Sequence, residues 1–142
     1  MRRKTLWRRE DGAALVEFAL ILPLLVLLIF GVIEFGLLFY NQQVITNASR
    51  EGARYGIVSR VPERRSVAEI TQVVNDYCSS NMITFGSETP ATAVNPHSLT
   101  ASFGDDLTVT VTFHYDFLVL PGFVGSLIGG TDLRAETTMK YE

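Results

Sequence analysis

The residues that ask for a chemical partner lie around one apolar stretch, Gly12 to Tyr40. Its near end is abrupt: Arg8, Arg9, Glu10 and Asp11 stop at Gly12, and Ala-Ala-Leu-Val-Glu-Phe begins. Glycine has no side chain, so the backbone at Gly12 can enter a protease groove or leave a helix in an unusual conformation. Glu17 stands at the fifth place after Gly12. An acid at mid-bilayer costs up to about 3 kcal/mol, less near the surface, so Glu17 wants a cation. A cut after Gly12 would give Ala13 a new ammonium group one helical turn away, able to pair with Glu17 of its own or a neighbouring chain. An uncut chain would instead hold Glu17 among lipid headgroups beside Arg8 and Arg9. A second acid, Glu34, marks the far edge of the stretch. It is read as reaching the membrane interface, with burial in a helical bundle as the alternative.

Elsewhere the residue types that carry chemistry are scattered. Cys78 is the only cysteine, which excludes an intramolecular disulfide and a thiolate metal site built from it alone. A buried thiol is expected there, with an intermolecular disulfide as the lesser alternative. His97 falls in a loop and His114 on the polar face of a strand, neither with companions at ligand spacing. The sequence has no phosphate-cradling glycine loop and no nucleophile flanked by a base in a recognisable motif. The expectation is a non-enzymatic protein with no metal and no cofactor. Net charge is −3 over 142 residues, and residues 1–12 hold five of the twelve basic groups. The remainder is acidic and gives no reason to expect nucleic-acid binding.

The element that must position Glu17 and Glu34 is a helix. From Phe18 to Ile33 there is no charged residue, and Phe18 to Tyr40 as a helix runs roughly 35 Å, enough to cross a hydrocarbon core of about 30 Å. A cleaved secretory signal would have a shorter apolar centre and a small-residue site after it. Here NQQVITNASREG follows instead. A buried core helix would need more protein around it than 15.8 kDa supplies. The reading is one membrane crossing. The short basic tail MRRKTLWRRE stays in the cytoplasm and the C-terminal part faces outward, although Arg50, Arg54 and Arg60 soon after the span weigh the other way. The chain divides into a leader (1–12), a transmembrane helix (13–40) and an outer domain (41–142). Pro23, inside the span, should kink it.

Beyond Tyr40 the pattern turns amphipathic. Val44, Ile45, Ala48, Gly52, Tyr55 and Gly56 fall on overlapping i, i+4 positions, so the same helix should continue outward. Ala48, Gly52 and Gly56 make a small-residue ridge where another backbone could approach; packing of the protein's own sheet there is the preferred reading. Ser66 and Glu69 fit a capping box opening a second helix, with Val67, Ile70, Val74 and Tyr77 on one face and its end at Cys78. Residues 79–98 read as a surface loop with one short strand at Met82 to Phe85. Leu107, Val109, Val111, Phe113 and Tyr115 alternate with polar residues, as do Leu133, Ala135, Met139 and Tyr141. Leu99, Ala101 and Phe103 alternate before Gly104-Asp105-Asp106, which predicts a hairpin. The fold class is α+β: a three- to four-stranded antiparallel sheet, read as a three-stranded meander, covered on one face by two helices. The connection from Phe117 to Ile128 is too apolar for a plain loop. It is read either as a partner or membrane contact or as a plug under the sheet.

The string EDGAALVEFALILPLLVLLIFGVIEFG resembles the N-terminus of TadE-like proteins, the pseudopilins of tight-adherence (Tad, or Flp) pili, a family that includes TadE and TadF. ASREGARYG, Ala48 to Gly56, resembles a second stretch of that family, and LRAETTMKYE is similar to its closing strand. The resemblance implies a pilin-like fold, cleavage after Gly12 by a prepilin peptidase, Ala13 as first mature residue, and Glu17 as the pilin-type acid required for assembly. Phe18 stands where the major pilin usually has Tyr, and this chain is much longer than the major subunit. The resemblance therefore implies a minor pilin-like component of a pilus and secretion system used in cell adhesion. It would be held in the bacterial inner membrane with a periplasmic domain, and partnered by other pilin-like subunits and assembly-platform proteins. The alternative is an uncleaved anchor displaying a periplasmic binding domain to a secretion or envelope complex.

Overall fold

The computed structural model describes residues 9–58, 64–84, 89–95, 102–117 and 129–141. Helix α1, Arg9–Ile57, holds 49 residues, about 74 Å at 1.5 Å per residue. It stays helical through Pro23 and carries the apolar stretch and the amphipathic stretch as one element. From Gly12 to Ile29 every residue is exposed; from Val44 onward one face is buried.

Helix α2, Val67–Asn81, starts as its sequence requires. The Glu69 amide donates to Ser66 Oγ and the Ser66 amide donates to Glu69 Oε2 at 2.8 Å, a complete capping box. Its buried stripe is Ile70, Val74 and Cys78, four residues apart and so on one face. The helix continues past the expected end at Cys78. Ser80 Oγ and Asn81 Nδ2 donate to the carbonyls of Asp76 and Tyr77, both at 2.8 Å, and occupy acceptors of the last turn.

Three antiparallel strands follow, β1 Ala91–Asn95, β2 Asp106–Tyr115 and β3 Thr131–Lys140, in the order β1-β2-β3. In β2, Leu107, Val109, Val111, Phe113 and Tyr115 are all buried, as their alternation predicts. Val111 lies opposite Ala135, and Asp106 opposite Lys140, to which it is ion-paired at 2.8 Å. The inner face of the sheet packs on α1 and α2, closing a core that includes Ile45, Ala48, Ile70, Val74 and Leu133.

Two strand expectations are corrected. The first strand is Ala91–Asn95, with Ala91 opposite Thr112 and Asn95 opposite Thr108. Of the expected hairpin arm at Leu99, Ala101 and Phe103, the first two lie outside the described residues and Phe103 is exposed. The turn at 102–105, with Gly104 at φ +89°, ties to the end of β3 instead: Gly104 N donates to the Tyr141 carbonyl and Tyr141 N to the Asp105 carbonyl. A short run of Ala, Thr and Val between Pro90 and Pro96 looks like loop, yet proline bounds an edge strand without breaking its ladder. Met82, Ile83 and Thr84 form no strand, and Phe85 lies outside the described residues. Ile83 is bonded to a helix side chain, described next.

Candidate assembly site on the membrane helix

At the N-terminal end of α1, Gly12, Ala13 and Glu17 are exposed, and nothing lies within 4 Å of where a Cβ on Gly12 would sit. Ala13 and Glu17 are an i, i+4 pair, so they share a face. The next turns continue apolar on all sides: Leu15, Phe18, Leu20 and Leu24 are each at least 60% exposed. Such surface in water would be costly at about 25 cal/mol per Å². Among the described residues, α1 is the one helix long and apolar enough to cross a membrane.

Glu34 is covered by the protein's own domain. It is 2% exposed, enclosed where the C-terminal end of β2 meets α1, and it accepts a hydrogen bond from the Tyr115 hydroxyl at 2.7 Å. The α2–sheet domain therefore reaches along the helix to Glu34, well before Tyr40. Above it the helix is tied by a series of polar contacts. Asn41 is fully buried and mimics a strand pair with Ile83, donating to its carbonyl at 2.9 Å and accepting from its amide at 3.0 Å. Tyr40 Oη donates to the Asn81 carbonyl, and Gln42 Nε2 to the Arg134 carbonyl. Ser49 Oγ and Thr137 Oγ1 are 2.8 Å apart.

Higher still, the ridge of Ala48, Gly52 and Gly56 is filled from within the protein. A Cβ on Gly52 would lie 2.6 Å from Val74 Cγ2, and one on Gly56 2.5 Å from Leu107 Cδ2 and 2.8 Å from Ile70 Cδ1. The ridge lets α2 and β2 approach the helix backbone, as the preferred reading has it. Gly31 and Gly36, by contrast, face open space.

The titratable groups outside the span are structural. Arg54 donates to Glu51 at 2.7 Å, and that bond holds the Glu51 carboxyl below its ordinary range. Arg65 stacks over Tyr55 and Arg64 over Tyr141, with guanidinium carbons 4.3 and 4.0 Å from the ring centres. Burial, then the bond to Glu34, pushes the Tyr115 phenol up. Cys78 is a free, buried thiol that desolvation pushes up to about 11. His114 contacts Asp132 at 2.6 Å and Asp116 at 3.6 Å on the exposed face. No group of three or more His, Cys, Asp or Glu among the described residues is arranged to hold a metal.

Sequence reading missed Tyr115 and Asn41 as partners. Tyr115 was legible only as the last inward residue of β2; a buried acid on the helix demands a donor, but spacing cannot say which residue supplies it. His97 and the stretch 118–128 lie outside the described residues.

Fold and site together define an α+β protein whose domain is clamped onto the upper half of α1, the one membrane-length apolar helix among the described residues. A comparison with family models matches residues 12–54, about a third of the chain, to TadE-like protein. No curated protein and no solved structure matches.

Proposed function

We propose that the chain is a minor pilin-like component needed to assemble a Tad/Flp-type pilus, trimmed after Gly12 by a prepilin peptidase and anchored in the inner membrane with its domain in the periplasm. The observation that carries this reading is the TadE-like match, which opens on Gly12 itself. The exposed, uniformly apolar half of α1 serves first as anchor and then as the surface that packs against other pilin-like helices. Its role is structural, and the peptidase supplies the only catalysis. Trimming turns Ala13 into an ammonium group beside Glu17. In an apolar bundle that acid is relieved only opposite such a cation, which sets the register between subunits.

The test is Glu17→Ala. Membrane insertion should be retained while pilus assembly falls; wild-type piliation in that variant would refute the pairing. A second reading, an uncut anchor that displays the domain to a secretion or envelope complex, is favoured by the continuity of α1 from Arg9 across the Gly12-Ala13 junction. Gly12→Leu separates the two. A pilin route loses trimming and assembly together, whereas a static anchor is unaffected.

A further inference from the structure

We propose that the rim of the sheet formed by the end of β2 and the start of β3 rests directly on the lipid surface, so that the outer domain is seated on the bilayer and does not stand off on α1. The proposal depends on α1 being the membrane crossing. Three contacts fix the direction of β2 along α1. Leu107 meets Gly56, Val109 meets Gly52, and Tyr115 bonds to Glu34. The strand thus descends toward the apolar half of the helix as its numbering rises.

The height of that end follows from helix geometry. Glu34 lies about 33 Å along α1 from Gly12 and about 24 Å from Phe18, at 1.5 Å per residue. A hydrocarbon core is about 30 Å thick, so Glu34 and the Tyr115 hydroxyl sit at its outer boundary when counted from Gly12, and about 6 Å inside it when counted from Phe18. Phe117 packs edge-on against Tyr115, with ring centres 6.1 Å apart, and the chain returns at Gly129. At the same level α1 exposes Phe35, Phe39 and Tyr40. Aromatic rings gather at membrane–water interfaces because one body can meet both phases. The rim acids Asp116 and Asp132 both face His114, an arrangement suited to the headgroup layer. In sequence, the eleven residues between Phe117 and Gly129 include no charged group.

The test uses the full chain in phosphatidylcholine vesicles, with Trp7→Phe throughout and one new tryptophan at a time. Phe117→Trp should lose emission with lipids brominated near the headgroup end of the acyl chain, whereas Phe103→Trp, at the opposite tip, should not. Leu24→Trp, quenched by bromine near the chain terminus, verifies the crossing separately. A Phe117→Trp signal insensitive to brominated lipid, with Leu24→Trp quenched, overturns the seating alone; loss of the Leu24→Trp quenching overturns the crossing as well. A nitroxide on Asp116→Cys in a Cys78→Ala background reads the same rim at an exposed position. A higher ratio of oxygen to chelated-nickel access there than at Phe103→Cys in the same background supports the seating, and an equal or lower ratio overturns it.

Discussion

Glu34 is buried and accepts a hydrogen bond from the hydroxyl of Tyr115. Removing one donor to a buried acid costs about 1–3 kcal/mol. Tyr115→Phe should therefore lower the stability of the outer domain by that amount in urea unfolding of the detergent-solubilised protein. Thr138→Val, which removes an exposed contact with Thr108, should change it by less than about 0.5 kcal/mol. Equal effects would show that the buried bond contributes no more than a surface one. Cys78 makes a pH prediction. Its thiol is raised from 9.0 to about 11 by burial, so the folded state keeps the proton that the unfolded state releases. The stabilising contribution is complete below pH 9 and is lost as pH rises through 11. Cys78→Ala should flatten that part of the stability profile. The raised phenols of Tyr115 and Tyr141 act with the same sign at higher pH.

Among the elements, the glycines of α1 separate into two kinds. Helical Gly→Ala ordinarily gains up to about 1 kcal/mol, and Gly36→Ala, facing open space, should follow that rule or be neutral. At Gly52 the added methyl meets Val74, and at Gly56 both Leu107 and Ile70. Overpacking costs about 1–3 kcal/mol, so Gly52→Ala and Gly56→Ala should destabilise, as thermal melts of the three variants would show. A gain at Gly56 would mean that α2 and β2 do not press on the helix there. Elements with a strong period were legible in the sequence: α1 from its long apolar run, α2 from Ser66 and Glu69, β2 and β3 from alternation. Strand β1 was not, because five short residues between two prolines give too brief a run to carry a clear period. The burial of Glu34 was hidden for a different reason. Helical spacing shows where an acid stands, but only the tertiary descent of β2 shows what covers it.

At the scale of the whole molecule, the domain is clasped to its own anchor from Glu34 to Gly56, while everything from Gly12 to Ile29 is left bare. That division suits a subunit whose lower helix meets lipid first and neighbouring helices later, with the domain carried along as one piece. On the proposed pilin route residues 1–12 are removed, and Glu17 gains its cation only then. The most direct measurement is N-terminal sequencing of the protein recovered from membranes and from sheared pili of piliated cells. Ala13 as the first residue is the expected result, and an intact Met1 in the assembled material would contradict it.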